Sequence, residues 1–198
     1  MAKLLSLEPL SVVFAVAYLA LAIRQSLWCW PAALISVSLW AVVAFDARLY
    51  MDAVLQLFYF AMGIYGWYQW SRGGEQHAGI RVHWWPASWH AVTLVLVLLC
   101  GAGFGRALAE TDAEFAYLDS FTTVAAIVAT FMVARKVIEN WIYWFVIDSL
   151  YIYLYLQREL VWYAGLYLVY LVMIVIGYRA WLKTLQVDEA AADGRDAA

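Results

Sequence analysis

Residues 50–70, YMDAVLQLFYFAMGIYGWYQW, and residues 161–181, VWYAGLYLVYLVMIVIGYRAW, decide the fold of this chain. Both stretches are predominantly apolar and about 20 residues long, which is the length that an α-helix needs to cross the hydrocarbon core of a bilayer. They align without a gap at an offset of 111 residues, with seven of the 21 aligned positions identical, Gly66 and Gly177 among them. We therefore interpret them as two membrane-spanning helices in equivalent places of a duplicated chain.

The similarity continues outward from these two stretches. At the same offset, residues 7–70 align with residues 118–181, and 15 of the 64 aligned positions are identical. Identities of Arg, Trp and Gly carry more weight than those of Leu or Ala. They include the pairs Arg24/Arg135, Trp30/Trp141 and Trp70/Trp181. Similarity at one fixed offset indicates an internal repeat, with a shared membrane composition as the alternative explanation.

The composition also requires a membrane. Hydrophobic residues make up 67% of the 198 residues and charged residues only 14%, with a mean hydropathy of +0.74. A soluble domain is about 45–50% apolar and about 25% charged, and a chain of this length cannot bury so much apolar surface in one core. The sequence therefore predicts an all-α integral membrane protein with seven transmembrane helices. The predicted spans are 7–23, 27–45, 50–70, 89–108, 117–134, 138–156 and 161–182.

The spans predict a 3+1+3 arrangement. Each repeat contains three spans, so two directly fused repeats would have opposite orientations in the membrane. The span outside the repeat restores a common orientation, which gives parallel repeats of the kind found in the SWEET sugar carriers. The predicted parts are the first three-helix repeat (1–70), a loop and linker helix (71–116), the second three-helix repeat (117–183) and a disordered tail (184–198).

Basic residues predict the orientation. Lys and Arg are enriched on the cytoplasmic side of membrane proteins. One side of the predicted bundle collects most of them: Arg24, Arg72, Arg81, Arg135, Lys136, Arg179 and Lys183. That side is predicted to be cytoplasmic, with the N-terminus outside and the C-terminus inside. No cleavage site follows the first apolar segment, so we expect this segment to be retained.

The sixth span carries the most specific candidate site. Trp141, Trp144, Asp148, Tyr151 and Tyr155 follow one another at spacings of three or four residues, which places them on one face of a helix. A carboxylate among aromatic rings suits an organic cation, because the rings offer cation–π contacts and the carboxylate offers charge or accepts hydroxyl hydrogen bonds. The sequence therefore predicts a substrate site on this face.

Asp148 also has a purely structural alternative. It could pair with a neighbouring Arg or Lys or accept hydrogen bonds from hydroxyls, and the aromatic residues would then be ordinary packing. The aligned position in the first repeat is Val37, so the two repeats differ here. An asymmetric ligand requires such a difference between repeats, which favours the substrate interpretation.

The remaining candidates are polar or aromatic residues on faces related to this one. Gln56 is an amide in mid-span, with a hydrogen bond to a backbone carbonyl as its alternative role. Tyr59 and Tyr170 are aligned in the two repeats and are predicted to line a central passage. The other predicted substrate-binding residues are Trp40, Asn140 and Tyr167. Trp141 has the alternative role of an interfacial anchor, as does its repeat partner Trp30.

Several function classes lack their motifs. The sequence has no nucleophile elbow, no Gly-rich phosphate loop and no basic patch for nucleic acid, so we expect no enzyme activity, no cofactor and no nucleic-acid partner. His77, His83 and His90 lie in or beside the long loop without a carboxylate or thiolate arrangement that would hold a metal. Residues 135–139 are predicted to be a solvated connection, with a part in the cytoplasmic mouth as the alternative.

Three aromatic-rich segments carry a family resemblance. The first runs from Arg135-Lys136 through Glu139-Asn140-Trp141 to Trp144, Asp148 and Tyr151. The second contains Trp30, Ser36, Trp40, Leu49-Tyr50, Gln56, Tyr59 and Tyr65-Gly66-Trp67-Tyr68-Gln69-Trp70. The third is Gly177-Tyr178-Arg179-Ala180-Trp181. Together they resemble the PnuC family of vitamin transporters over about residues 7–183.

The resemblance implies a seven-helix, SWEET-like fold and a homotrimer in the lipid bilayer of the bacterial cytoplasmic (inner) membrane. It implies uptake of nicotinamide riboside for NAD biosynthesis by facilitated diffusion, made one-way by a cytoplasmic kinase that phosphorylates the transported product. Some members of the family carry thiamine or riboflavin instead, so another vitamin is the alternative substrate. Alternating access by rocking of the two repeats is the predicted mechanism. Proton coupling through Asp148 and a non-transporting receptor remain alternatives.

Overall fold

The computed structural model describes residues 4–46, 50–74, 77–110, 115–157, 159 and 161–196. These residues form seven α-helices together with an isolated parallel bridge between His83 and Val137. The helices are α1 (Leu4–Ile23), α2 (Cys29–Asp46), α3 (Tyr50–Arg72), α4 (Ala87–Leu108), α5 (Ala116–Ala134), α6 (Asn140–Gln157) and α7 (Val161–Asp196). The all-helical prediction is therefore confirmed for this part of the chain.

Four segments of the described chain are long and apolar enough to cross a membrane. They are Cys29–Asp46, Ala87–Leu108, Ala116–Ala134 and Val161–Ala191. Helix α6 is not among them, because its Asn, Asp, Gln and Tyr side chains lower its mean hydropathy. Three of the predicted substrate-binding residues, Asn140, Asp148 and Tyr151, are among these polar residues, so the lower hydropathy of α6 coincides with the candidate site.

Helix α1 ends in a Schellman motif centred on Gln25. Gln25 has a φ of 53°, its backbone N–H donates to the Ala22 carbonyl at 2.9 Å, and the Ser26 N–H donates to the Leu21 carbonyl at 3.0 Å. These are the two hydrogen bonds that satisfy the last carbonyls of a helix that ends on a left-handed residue. The chain turns sharply here, which allows α2 to begin four residues later at Cys29.

The turn after α5 has a closely similar geometry. Lys136 also has a φ of 53°, and the Val137 N–H donates to the Met132 carbonyl at 2.9 Å. These residues lie 111 positions after Gln25, Ser26 and Leu21, so the same backbone hydrogen bond recurs at the offset of the sequence alignment. Two different side chains therefore occupy a left-handed position that glycine usually fills.

The chain divides into two compact units, of which the first comprises Met1–Arg81 with Ala134–Lys136. In this unit α1 packs against α2, and α2 packs against α3. The buried indole of Trp30 meets that of Trp70 edge-on, with ring centroids 5.3 Å apart and an interplanar angle of 86°. Gly66 permits this packing, because a Cβ atom there would lie 2.2 Å from the Trp30 ring.

The second unit comprises Val82–Val133 with Val137–Ala198. Here α6 packs against α7, and the buried indole of Trp141 meets that of Trp181 at 5.4 Å and 90°. A Cβ atom on Gly177 would lie 2.4 Å from the Trp141 ring. Each unit thus contains the same indole pair and the same facing glycine, again 111 residues apart.

The connection between α5 and α6 differs from its prediction. Residues 135–139 were expected to be solvated, and this prediction is wrong for three of them, because Val137 and Ile138 are wholly buried and Glu139 is 9% exposed. The exposed part of the segment is Arg135, which lies in the first unit and donates to the Tyr65 hydroxyl at 3.4 Å. The buried residues, Val137, Ile138 and Glu139, belong to the second unit.

The C-terminal tail also differs from its prediction. Residues 184–198 were expected to be disordered, whereas α7 continues without a break through Asp196. Five of the 15 residues after Lys183 are Ala, the best helix former, so a charged composition did not prevent helix formation. The last two residues of the predicted tail lie outside the described residues.

Candidate functional site

The centre of α6 carries a buried carboxylate. Asp148 is 4% exposed and lies about midway along the helix. A buried carboxylate is expensive, so it requires either a partner or a function. Among the described residues of the second unit, no Arg or Lys forms an ion pair with Asp148. The ion-pair alternative therefore receives no support within this unit.

Five tyrosines of α6 and α7 form a continuous set of ring contacts, which we call the tyrosine cluster. Its members are Tyr151, Tyr155, Tyr163, Tyr167 and Tyr170. The centroid of the Tyr167 ring lies 5.3 Å from those of Tyr151 and Tyr155 and 5.4 Å from that of Tyr170. The Tyr163 ring stacks on Tyr155 at 5.5 Å with an interplanar angle of 26°. Such separations stabilise aromatic pairs.

The carboxylate and the tyrosine cluster form one environment. Asp148 lies three residues before Tyr151 on the same face of α6, and the Tyr151 ring contacts that of Tyr167 on α7. Aromatic faces attract cations, and a buried negative charge strengthens that attraction. Phenolic hydroxyls can also donate to, or accept from, a ligand's polar groups. The arrangement therefore suits a flat organic cation that carries hydroxyl or amide groups.

The first turn of α6 contains polar atoms for which the described residues offer no hydrogen-bond partner. Asn140 is wholly buried and donates from Nδ2 to the Val137 carbonyl at 2.6 Å. Its Oδ1 and the Nε1 of Trp141 are buried without a hydrogen-bond partner among the described residues. An unpaired buried polar atom is costly, so these two atoms require an explanation. Contact with a ligand or with water would provide one.

Trp141 itself has mainly a packing environment. It is buried against Trp181 and Gly177, as Trp30 is buried against Trp70 and Gly66 in the first unit. This burial excludes the interfacial-anchor role, which needs an indole at the membrane surface. The Nε1–H of Trp141 has no hydrogen-bond partner among the described residues, and the same holds for the Nε1–H of Trp30 in the first unit.

Trp144 lies one turn further along α6 and is half-buried. It packs with Tyr151 against a small core formed by Ala126, Ala129 and Ile147. The small Ala side chains of α5 leave space for the two large rings of α6. Trp144 therefore lies between the first turn of α6 and the tyrosine cluster, on the face that the sequence pattern predicts.

The first unit holds the three other predicted residues. Gln56 on α3 is buried, whereas Tyr59 on α3 and Trp40 on α2 are half-buried. Gln56 and Tyr59 share their helix face with Gly63, where an added Cβ atom would lie 2.8 Å from the Leu34 side chain. This face of α3 therefore packs against α2 inside the first unit. The role of these three residues in binding stays a prediction.

A separate apolar groove lies outside the candidate site. It has a volume of about 360 Å³ and is formed by α4, α5 and α6, with Phe121, Ile142 and Tyr143 among its lining residues. None of the ten predicted substrate-binding residues lines it. Apart from the hydroxyl-bearing Thr122 and Tyr143 its lining residues are apolar, so it offers few groups that would orient a polar vitamin.

The structure adds two features that the sequence analysis did not select. The first is Tyr163, which completes the tyrosine cluster, and its spacing of four residues from Tyr167 was the available signal. The second feature is a contact between His90 and Glu139, 3.0 Å apart at the closest atoms. These residues are 49 positions apart, so no local spacing could have paired them.

Metal binding has no support in the described part of the chain. No group of three or more His, Cys, Asp or Glu side chains there is arranged to hold a metal ion. Cys29 and Cys100 are both free thiols. The polar chemistry of the site is therefore that of amide, hydroxyl, indole and carboxylate groups.

Comparison with known proteins identifies the relatives of this chain. A family model described as nicotinamide mononucleotide transporter matches residues 5–183. The nicotinamide riboside transporter PnuC of Escherichia coli (strain K12) is 28% identical over 177 residues, which cover 76% of this chain and 74% of that protein. The riboflavin/roseoflavin transporter RibM of Streptomyces davaonensis is 29% identical over 167 residues, which cover 82% and 78%.

A solved structure shows the same fold. The crystal structure of the vitamin B3 transporter PnuC matches with a TM-score of 0.71 and 22% sequence identity, over 91% of this chain and 82% of that chain. The sequence relatives and this fold agree with the long apolar helices. The chain is therefore a multi-pass membrane protein that belongs to the nicotinamide mononucleotide transporter family, as its resemblance to the PnuC transporters predicts.

Proposed function

We propose that this chain takes up nicotinamide riboside across the bacterial inner membrane by facilitated diffusion. The observation that carries the proposal is the buried Asp148 carboxylate beside the tyrosine cluster, which forms no ion pair with a described Arg or Lys of its unit. Nicotinamide riboside contains a positively charged pyridinium ring, a carboxamide and a ribose. The ring would stack on Tyr151 or Trp144, and Asp148 would balance its charge.

The polar groups of the ligand have candidate partners as well. The carboxamide can donate to the unpaired Oδ1 of Asn140 and accept from the unpaired Nε1 of Trp141. Gln56 and the tyrosine hydroxyls of Tyr59, Tyr167 and Tyr170 are proposed to bind the ribose, with Trp40 as a further ring contact. Each of these roles comes from the residue type and its position, and each requires its own variant as a test.

The phosphate distinguishes the riboside from the mononucleotide. A nicotinamide mononucleotide carries an additional dianionic phosphate, which would need Arg or Lys side chains in a buried site. Helix α6 contains no Arg or Lys, and the buried ionisable group among its aromatic residues is the acidic side chain of Asp148. Repulsion and desolvation of the phosphate would oppose binding. The site chemistry therefore favours the riboside.

The proposed architecture is seven transmembrane helices in a 3+1+3 arrangement of parallel repeats. The recurrence of the indole pair, its facing glycine and the left-handed turn at an offset of 111 residues supports it. Transport would proceed by alternating access of the two repeats. The proposal includes an outside N-terminus and an inside C-terminus, a homotrimer, and a cytoplasmic kinase that phosphorylates the product and thus prevents its return.

A second candidate substrate is riboflavin. The observation in its favour is the relative RibM, which at 29% identity is as similar to this chain as the riboside transporter at 28%. Riboflavin has no positive charge on its ring system, so Asp148 would serve it only as a hydrogen-bond acceptor. Thiamine, a cation with an aromatic ring, is the alternative that the sequence also allows.

The test is a binding measurement on the purified full-length protein, followed by a measurement of transport into vesicles. Calorimetry would compare nicotinamide riboside, nicotinamide mononucleotide, thiamine and riboflavin, with Trp144→Ala and Asp148→Asn as site variants. Tyr153→Phe is the matched control, because Tyr153 lies on α6 with an exposed side chain outside the cluster. Riboside binding that both site variants weaken supports the proposal. Preference for riboflavin or thiamine replaces the substrate, and failure to move bound ligand into vesicles contradicts a transporter.

Energy coupling has a separate test. If transport is facilitated diffusion, a proton gradient across the vesicle membrane leaves the uptake rate unchanged. Stimulation of uptake by an alkaline interior, lost in Asp148→Asn while exchange persists, would show that Asp148 couples transport to protons and that facilitated diffusion is wrong.

A further inference from the structure

The residue before the candidate site is a buried glutamate, whose side chain contacts a residue just before α4 and a residue of α4 itself. Glu139 directly precedes Asn140, and its side chain accepts the backbone N–H of Trp85 at 3.1 Å (Oε1) and 3.3 Å (Oε2). Nε2 of His90, on α4, lies 3.0 Å from the same Oε1. Hydrogen bonds to a buried carboxylate are stronger than those between neutral groups. Glu139 is thus fixed by two groups from a segment about 50 positions away in sequence.

The hydrogen bonds of His90 define its tautomer. Glu139 can only accept, so Nε2 of His90 carries the hydrogen and donates. Nδ1 of a neutral ring is then an acceptor, and the Tyr143 hydroxyl, 3.0 Å away, donates to it. The imidazole also stacks on the Tyr143 ring at 5.9 Å and 28° and meets the Trp85 ring edge-on at 5.8 Å. We call Trp85, His90, Glu139 and Tyr143 the polar clamp.

Backbone hydrogen bonds extend the clamp to the turn before α6. The Ile138 N–H donates to the His83 carbonyl at 3.0 Å, and His83 forms the parallel bridge with Val137. The Glu139 carbonyl accepts from the N–H groups of Ile142 at 3.0 Å and Tyr143 at 3.2 Å. These are among the first hydrogen bonds of α6. The side chain of Glu139 is therefore tied to α4 while its backbone starts α6.

The two candidate residues that leave unpaired atoms come immediately after this point. Asn140 and Trp141 occupy the first turn of α6, whose orientation depends on the backbone of Glu139. Stability alone does not explain a polar clamp, because apolar side chains of similar volume commonly stabilise a buried site as well or better. A polar network instead fixes one geometry, since its hydrogen bonds tolerate little displacement.

We propose that His90 is a positioning residue, which holds Glu139 and thereby sets the orientation of Asn140 and Trp141 toward the substrate. The substrate part of this inference rests on the proposed function, whereas the effect on the first turn of α6 does not. His90 itself does not contact the substrate. The clamp thus makes the linker helix α4 a support of the binding site rather than a passive connection.

The test uses the full-length protein and variants that separate the contacts. His90→Phe keeps a ring for stacking but loses both hydrogen bonds, and Glu139→Ala loses the acceptor. Glu139→Gln is the conservative variant, because its amide oxygen can still accept at the Oε1 position. Tyr143→Phe removes one hydrogen bond and leaves the His90–Glu139 contact. Tyr153→Phe, the same change at an exposed position of α6, is the control.

Two measurements are made on each variant. The first is hydrogen–deuterium exchange of the amides of residues 138–143, followed by mass spectrometry without substrate. The second is uptake of nicotinamide riboside into vesicles, resolved into KM and maximal rate. We expect His90→Phe and Glu139→Ala to raise both the exchange rate and KM by about tenfold, because each loses a buried charge-assisted hydrogen bond. The maximal rate of each variant should stay within about twofold of the wild type. Glu139→Gln should remain within about threefold of the wild type.

The following results would contradict the proposed role of His90. Unchanged exchange and unchanged KM in His90→Phe overturn it. A lower melting temperature with unchanged KM shows a structural role only and also overturns it, as does a Glu139→Gln variant as impaired as Glu139→Ala. If the wild-type protein binds no nicotinamide riboside, the proposed function fails by itself. Exchange in the first turn of α6 then decides the clamp, and wild-type protection there contradicts it.

Discussion

The indole of Trp141 meets that of Trp181 edge-on, with ring centroids 5.4 Å apart and an interplanar angle of 90°. Trp30 and Trp70 form the same pair in the first unit, at 5.3 Å and 86°. In each unit a glycine of the longer helix faces the first indole, because any side chain at that position would overlap the ring. Each pair therefore depends on two tryptophans and on one glycine, which has no side chain and so leaves room for the ring.

The facing glycines give a stability prediction. Gly177→Ala would place a Cβ atom 2.4 Å from Trp141, so we expect a loss of about 1–3 kcal/mol through overpacking. The measurement is thermal unfolding of the purified protein in detergent. Gly165→Ala on the same helix is the control, because no atom lies within 4 Å of its added Cβ and alanine favours helix. Equal melting temperatures for the two variants would contradict the packing role.

Asp148 gives a prediction that depends on ligand charge. In Asp148→Asn the side chain keeps its size and loses its charge, so we expect binding of the cation nicotinamide riboside to weaken by about tenfold or more. Any binding of riboflavin should change by no more than about threefold, since its ring system carries no positive charge. Calorimetry on the variant and the wild type measures both. A uniform effect on the two ligands would assign Asp148 a structural role.

The tyrosine cluster gives a prediction about ring and hydroxyl contributions. Tyr167→Ala removes the ring contacts with Tyr151, Tyr155 and Tyr170, and we expect riboside affinity to fall by about tenfold or more. Tyr167→Phe retains those contacts and should lose about threefold, the contribution of a single hydroxyl hydrogen bond. Binding isotherms provide the measurement.

Trp162 supplies the control for the cluster. It lies on α7, as Tyr167 does, and its side chain is 93% exposed. Trp162→Ala should therefore leave riboside affinity unchanged, although it removes a larger ring. If Tyr167→Phe binds as poorly as Tyr167→Ala, the hydroxyl and not the ring is the binding group.

The left-handed turns give a prediction about backbone strain. Gln25 and Lys136 both have a φ of 53°, which costs a residue with a side chain about 1 kcal/mol relative to glycine. In Lys136→Gly the relief of this strain is offset by the loss of a cation–π contact, because the Lys136 ammonium lies 4.7 Å from the centre of the Trp70 ring. Lys136→Met keeps a side chain at the left-handed position and removes the charge, so we expect it to lower the melting temperature. An unchanged melting temperature in Lys136→Met would mean that the contact with Trp70 contributes nothing.

The sequence predicts most of the helices because span length and hydropathy are local properties. Helix α6, for example, runs from Asn140 to Gln157, against a predicted span of 138–156. The placement of Asp148, Tyr151 and Tyr155 along one face follows from helical periodicity alone. Whether these residues bind substrate stays a prediction, as does the presence of seven spans, because neither follows from the helices themselves.

Other features depend on contacts between distant segments. The burial of Val137, Ile138 and Glu139 arises from the segment before α4, to which Ile138 and Glu139 are hydrogen-bonded, and a short charged sequence carries no signal of it. The same is true of His90, which appears in the sequence as a residue beside a polar loop. The charge of the tail predicts disorder, whereas its Ala residues allow α7 to continue to Asp196.

The length of α7 has a practical consequence for these experiments. Its 36 residues make a rod about 54 Å long at the usual rise per residue, whereas the hydrocarbon core of a bilayer is about 30 Å thick. Roughly 20 Å of helix is therefore available as a stalk beyond the membrane. A fluorescent protein or an affinity tag joined at the C-terminus would be carried on this stalk, which makes that end the natural attachment point for tethering the protein to a surface.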